Sequence, residues 1–249
     1  MRRAAALSPT ELAALYASSE YYSLGERHGI GYADYYGDER MYRTYFRHKL
    51  RRLRSVLPPG KLVEVGAAAG FALVEARRIA WTVEGIEMSP HAACFAHERF
   101  ALDVRIGTFD DLTPSGDADV VAAFQTIEHV TDVRSALRSM HAALRPRGAL
   151  VLTTPDHDSR QRKFMGRFWP SYRPEHLTYL DRRSVHRFLF EEGFRVRSVR
   201  NDDPLLVPVS RLLERASHYW ARIRIDGRAL SALYVPVWLG DMEIVAERM

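Results

Sequence analysis

The sequence predicts a doubly wound α/β fold: a mostly parallel, seven-stranded sheet flanked by helices, preceded by a helical N-terminal segment. Two observations carry the prediction. After Pro58-Pro59-Gly60 the pattern alternates short apolar runs with amphipathic stretches, the rhythm of strands joined by helical crossovers. The first of those strands runs directly into a turn of small residues, Gly66-Ala67-Ala68-Ala69-Gly70, where such folds bind ligands.

Taken in order, Ser8 reads as a helix cap with Pro9 at the first helical position and Glu11 completing a capping box. Leu12, Leu15 and Tyr16 give that helix its apolar face. A tyrosine-rich stretch follows (Tyr21, Tyr22, Tyr32, Tyr35, Tyr36). Tyr42, Tyr45, Phe46, Leu50, Leu53 and Leu57 then fall at helical spacing, with Arg43, Arg47, Arg51 and Arg54 on the opposite side. Pro58 and Pro59 end this helix.

Beyond the break, Leu62–Val65 reads as a buried strand, residues 71–80 as a helix and Val83–Glu87 as a second strand. Ser89-Pro90 opens the next helix, and Val104–Ile106 is a third strand. Asp119–Phe124 is a fourth, followed by a helix with Val133, Leu137, Met140 and Leu144 inward. A fifth strand covers Ala149–Thr153. Asp181 caps a helix that Gly193 stops, and Phe194–Val199 and Glu243–Glu247 supply the last strands. Residues 201–241 give mixed signals with several prolines. The domain reading is a helical lid over residues 1–57 and a ligand-binding domain over 58–249, with an acceptor-specificity insertion at about 201–241.

Composition narrows the function. The formal charge is +5, and Lys49, Lys61 and Lys163 are the only lysines, so the excess is arginine. Charge alone does not argue for nucleic acid. Cys94 is the only cysteine, which excludes an intramolecular disulfide or a cysteine metal cluster and fits a cytoplasmic setting. No stretch reaches the roughly 18 apolar residues of a membrane span. The arginine face of residues 43–54 has three readings: a solvated face, a site for an acidic acceptor, or a contact with RNA or a membrane surface.

The turn after the first strand lacks the Gly-x-Gly-x-x-Gly of dinucleotide folds and the lysine of a phosphate-binding loop. Small residues there let a ligand approach the backbone. Glu87, ending the second strand, has the chemistry to accept both hydroxyls of a ribose. Glu64 is placed to hold an ammonium group. Two carboxylates and a glycine turn without a phosphate cradle suit a ligand with a ribose and a free amino acid.

These segments carry a resemblance. Leu62-Val63-Glu64-Val65-Gly66 through Gly70-Phe71, Gly85-Ile86-Glu87-Met88-Ser89, Ile106-Gly107-Thr108-Phe109-Asp110-Asp111-Leu112, Gln125-Thr126-Ile127-Glu128-His129-Val130, Leu144-Arg145-Pro146-Arg147-Gly148-Ala149-Leu150 and Glu175-His176-Leu177-Thr178-Tyr179 resemble, in order, the motifs of class I S-adenosylmethionine-dependent methyltransferases. The subgroup is the one that includes quinone-biosynthesis O-methyltransferases and bacterial sugar and natural-product methyltransferases. The resemblance implies a Rossmann-like methyltransferase fold with S-adenosyl-L-methionine as cofactor, held by Glu64, Gly66, Ala67, Gly70, Glu87, Met88, Thr108, Phe109 and Gln125. It implies that His129 and His176 border the active site, where either is a candidate base; packing against backbone is the other reading of His129. Two departures stand out: Ala68 replaces a common second glycine, and Gln125 replaces a glutamate that quinone-type relatives use toward a divalent metal.

Asp156, His157, Glu175 and His176 are compatible with a metal by type but irregular in spacing, so no metal site is assigned. Trp169, Tyr172 and Tyr179 read either as an aromatic pocket or as core. The expected reaction is O-methylation of a small-molecule acceptor, a sugar or natural-product hydroxyl, by a monomer or homodimer. N-methylation of an amino sugar or amine is the alternative, and a catalytically silent partner subunit is the reading from another class. Nucleic acid is not an expected partner: no Asn-Pro-Pro-Tyr-like turn follows the fourth strand and no Pro-Cys nucleophile exists.

Overall fold

The computed structural model describes residues 8–18, 21–22, 32, 34–57, 60–210, 212–213 and 233–249. Helix α1 (Pro9–Ala17) begins at Ser8, whose hydroxyl accepts from the Glu11 amide while the Glu11 carboxylate returns to the Ser8 amide. Helix α2 (Glu39–Arg54) buries Met41, Phe46, Leu50 and Leu53. The expected stop at Pro58 and Pro59 lies outside the described residues.

The sheet then builds by repetition. Strand β1 (Lys61–Val65), helix α3 (Phe71–Arg77), β2 (Thr82–Glu87), α4 (Pro90–Phe100) and β3 (Val104–Ile106) wind in one direction. Strand β4 (Ala118–Phe124), α5 (Val133–Ala143) and β5 (Leu144–Pro155) wind in the other. Short helix α6 (Arg160–Met165), α7 (Arg182–Glu191) and β6 (Phe194–Asn201) follow, and β9 (Asp241–Arg248) completes the sheet. The strand order is β3-β2-β1-β4-β5-β9-β6. Strands β1 to β5 pair in parallel, and β9 is antiparallel to both β5 and β6. The seven-stranded doubly wound sheet expected from sequence is therefore present.

Some bounds differ. Helix α3 stops at Arg77, because Ala80 takes a left-handed φ of 71° and turns the chain into β2. Strand β5 begins at Leu144, five residues before the expected start, since Leu144 already pairs with Ala118 ahead of an irregularity in the ladder. The unread segment holds an antiparallel pair, β7 (Leu205–Pro208) with β8 (Tyr234–Val237). Residues 211 and 214–232 of the proposed 201–241 insertion lie outside the described residues.

Apolar side chains form a layer on each face of the sheet. Phe46, Leu50, Leu53, Phe71, Leu73 and Trp81 belong to one cluster, while Ile127, Leu137, Met140, Leu189 and Phe194 belong to the other. Within residues 1–57, Phe46, Leu50 and Leu53 of α2 share one core cluster with Tyr21 and Tyr22, and Tyr16 of α1 and Tyr32 pack against it. Arg43 and Arg47 of the arginine face are not simply solvated, because both bind the buried Glu75 of α3. No helix among the described residues is long and apolar enough to cross a membrane.

Candidate active site

Strand order reverses between β1 and β4, and open α/β sheets bind ligands at such a switch point, outside the strand carboxyl ends. A cavity of about 410 Å³ lies there. This volume falls within the roughly 300–1,000 Å³ of small-molecule sites. Its wall includes Glu64, Gly66, Ala67, Glu87, Met88, Thr108, Phe109 and Gln125, which the sequence assigned to the cofactor. Gly70 is the exception. It caps α3 with a left-handed φ of 74°, and a side chain there would strike Leu102 and Ala96, so its smallness serves the packing of α3 against α4.

Gly66 has φ 75°, and a Cβ on it would overlap the Thr126 side chain. The glycine lets the β1 and β4 ends close together. The amides of Gly66 and Ala67 both donate to Ile86 O, which ties the turn to β2 and leaves the carboxylates to face the cavity. Ala68 and Gln125 are non-glycine residues with positive φ, 47° and 53°, and both line the cavity. Such conformations persist where surrounding structure enforces them, and they concentrate at functional sites. Here the Ala68 amide donates to Glu87 Oε2 at 2.7 Å, and the Gln125 amide donates to Thr153 O at 2.9 Å.

Glu64 is buried, 2% exposed, and its Oε2 has no hydrogen-bond partner among the described residues. Burial, then the neighbouring Glu87 charge, pushes its carboxyl well above the usual range. A cationic amino group would supply the missing donor and the missing charge. Glu87 accepts from the Ser89 amide at 2.8 Å and from the Tyr22 hydroxyl at 3.4 Å as well as from Ala68. Burial raises its carboxyl, and these three donors oppose the rise. Thr108 caps the short 3-10 turn Phe109–Asp111, which brings Phe109 and Asp110 to the wall. Asp110 and Tyr22 were missed from sequence. Asp110 stood beside two assigned residues, but Tyr22 reaches Glu87 from 65 positions away with no spacing signal.

A second chamber of about 260 Å³ shares Tyr21, Tyr32, Tyr35, Phe124, Gln125 and His129 with the first. His176 lines the second only. The two imidazole rings meet edge to face, with centroids 4.7 Å apart. Nδ1 of His129 lies 3.0 Å from the Glu175 carbonyl oxygen, which can only accept, so Nδ1 carries the proton and Nε2 the lone pair. The Tyr16 hydroxyl oxygen is also within 2.9 Å of Nδ1. Burial pushes the His129 imidazole down to about 4; burial, then the His129 and Arg173 charges, takes His176 to about 2. Both rings are neutral at neutral pH.

Glu128 sits beside them, fully buried, with Oε2 accepting from Thr154 Oγ1 at 3.1 Å and Oε1 without a partner among the described residues. Glu128, His129 and His176 each bring a ligand atom within 4.8 Å of the others, a donor set a divalent cation accepts by type. This group differs from the one weighed in sequence. Asp156 instead pairs with Arg182, and His157 Nε2 lies 3.2 Å from the Tyr172 hydroxyl. Trp169, Tyr172 and Tyr179 belong to the wall of neither chamber: they pack edge to face around His157, with the Trp169 indole donating to Leu239 O.

Residues 38–199, more than half of the chain, match the family described as a methyltransferase domain. The chain belongs to that family. Among curated proteins, a ubiquinone biosynthesis O-methyltransferase of Bradyrhizobium sp. is 30% identical over 99 residues, 38% of this chain and 39% of the relative. A Rhodopseudomonas palustris protein of the same description is 32% identical over the same shares. The chain thus spans about two fifths of these relatives' length. Among solved structures, an S-adenosylmethionine-dependent methyltransferase from Archaeoglobus fulgidus superimposes with TM-score 0.61 at 16% identity, covering 86% of this chain and 100% of its own. Another from Thermotoga maritima gives TM-score 0.58 at 18% identity, covering 86% and 95%. These likenesses show the methyltransferase fold. S-adenosyl-L-methionine is the cofactor of this family, and the unpaired Glu64 oxygen, the Glu87 carboxylate and the absence of a phosphate cradle in the Gly66–Gly70 turn fit its ammonium, ribose and lack of phosphate.

Proposed function

We propose that this methyltransferase-family protein transfers the methyl group of S-adenosyl-L-methionine to a small-molecule acceptor seated in the second chamber. The observation that carries the reading is the shared wall: Gln125 and His129 face both chambers, so a group in one meets a group in the other at their junction.

Bound in the first chamber, the cofactor supplies an electrophilic methyl on a sulfonium. Every other requirement falls to the chain. Glu64 would take the amino group and Glu87 the ribose hydroxyls, with Met88 and Phe109 of the same wall left for the base. Tyr21, Tyr32 and Phe46 give both chambers an aromatic wall. Fixing two reactants in line at contact distance is the main source of acceleration for such a displacement. The attacking oxygen forms a bond to carbon as the carbon–sulfur bond breaks, and the hydroxyl proton must leave. His129 Nε2 is the lone pair held for that proton, because its other nitrogen is committed to Glu175 O. A hydroxyl losing electrons to an incoming methyl becomes far more acidic than an alcohol, so an imidazole of low basicity suffices.

A sugar or natural-product hydroxyl is the acceptor this reading favours, supported by relatives described as O-methyltransferases. Isothermal titration with S-adenosylmethionine and S-adenosylhomocysteine, with NAD and ATP as controls, tests the cofactor site. Binding of the first two alone, followed by methyl uptake into hydroxyl acceptors that His129→Ala loses, is the expected result. Binding of NAD or ATP in preference would overturn the reading.

A further inference from the structure

We propose that the acceptor carries a protonated amine, and that the second chamber is an organic-cation site formed by tyrosine rings and uncompensated carboxylates. This rests on the methyltransferase reading and names the class of acceptor within it.

The chain is basic overall, yet this chamber is acidic. Among the described residues its wall holds six carboxylates, Asp34, Asp38, Glu128, Asp202, Asp203 and Asp241, against one guanidinium, Arg173. Two of the six are neutralised by the protein itself. Lys49 binds Asp202, while Arg52 and Arg200 bind Asp203. Arg173 in turn pairs with Glu175 at 3.3 Å. Two others are left short. Glu128 is fully buried with Oε1 unpartnered, and Asp241 has a buried Oδ1 unpartnered, both among the described residues. A buried carboxylate oxygen without a donor is costly, and a ligand that brings both a donor and a positive charge removes the cost.

The remaining wall suits the same ligand. Tyr21, Tyr32, Tyr35, Tyr42 and Tyr45 line it. Tyrosine faces attract ammonium groups through the ring quadrupole. The chain already uses two this way: Lys49 Nζ lies 4.9 Å from the Tyr45 centroid, and Arg173 Cζ lies 5.8 Å from that of Tyr32. An acidic acceptor, by contrast, would bring a further negative charge beside the unpartnered Glu128 and Asp241 oxygens. Arg43 and Arg47 of the α2 arginine face turn to Glu75. The ammonium of an amino-bearing acceptor anchors at Asp241 and the rings, and its reacting atom extends toward Gln125 and His129.

The test uses protein saturated with S-adenosylhomocysteine and titrated with isosteric pairs: phenethylamine and 2-phenylethanol, and tyramine and 4-(2-hydroxyethyl)phenol. Tetramethylammonium serves as a cation that cannot be methylated. Each amine is expected to bind about tenfold or more tightly than its alcohol, with tetramethylammonium competing. Asp241→Asn and Glu128→Gln each shrink that preference, and the unchanged affinity of Asp241→Asn for S-adenosylhomocysteine shows that it is folded. Equal binding of amine and alcohol overturns the inference, as does a preference for the alcohol or a site that takes Mg²⁺ and no amine. Failure to bind S-adenosylhomocysteine is a different result, which removes the cofactor reading itself.

Discussion

Lys49 Nζ lies 2.9 Å from Glu243 Oε2, and neither side chain is exposed to solvent. This pair fastens α2 to the antiparallel strand β9. Asp202 binds the same ammonium, and Arg52 approaches the same Glu243 oxygen at 2.6 Å. Burial alone would raise the Glu243 carboxyl; Lys49 and Arg52 outweigh it and hold the group at about 2.

Lys49→Met is therefore expected to destabilise the fold by about 3–5 kcal/mol, because it leaves buried carboxylates short of a cation. Urea unfolding measures the loss, and a change under about 1 kcal/mol would show that Arg52 and Arg200 suffice. A pH signature accompanies it. The Glu243 carboxyl is lower in the folded than in the unfolded protein, so its contribution is present above about pH 4.5 and is lost as pH falls toward 2. In Lys49→Met the part of the acid dependence of Tm owed to Glu243 should flatten.

Glu87→Ala should weaken S-adenosylhomocysteine binding by about 1–3 kcal/mol through the lost ribose contact. Because Glu87 also receives the Ala68 and Ser89 amides, alanine loosens the turn as well. Glu87→Gln keeps the shape and one acceptor oxygen, so an intermediate loss by titration calorimetry assigns the difference to charge. Unchanged affinity in both variants would place the ribose elsewhere.

Gly66→Ala is expected to lower both Tm and cofactor affinity, since the new Cβ overlaps Thr126 and the backbone stays at φ 75°. Adding Thr126→Ala removes the overlap but not the backbone strain, so partial recovery of Tm is the expected outcome. Full recovery would assign the whole effect to Thr126, and no recovery to φ alone.

His129→Ala should reduce turnover by roughly 10²–10⁴-fold if its Nε2 takes the acceptor proton. Binding of S-adenosylhomocysteine should be retained, which separates chemistry from folding. Tyr16→Phe removes a hydroxyl at Nδ1 but spares the bond to Glu175 O, and is expected to cost far less. Equal losses in the two variants would mean that Tyr16, not the imidazole lone pair, is the sensitive element.

The sheet was legible in the sequence because its signals are local. Ser8, Ser89 and Asp181 cap helices through the amide three residues on, and the β1 turn announces itself by its small residues. The first chamber's wall was legible for the same reason: Glu64 and Glu87 lie at the carboxyl ends of adjacent strands. What was not legible depends on distance. Gly70 looked like a ligand glycine until Leu102 appeared opposite it. Tyr22 on Glu87, Glu128 beside His176 and Asp241 on the second chamber's wall are meetings of segments far apart in the chain, and no spacing rule announces them. Trp169 and its ring neighbours could not be told from pocket residues, since a packed aromatic cluster and an aromatic site have the same composition.

Strand β9 lies between β5 and β6, so the sheet's interior is completed by residues 241–248. On the ribosome, β6 emerges with no strand to join, and Lys49 waits 194 residues for Glu243. The nascent chain must therefore carry an open β5 edge until residues 241–248 have cleared the exit tunnel.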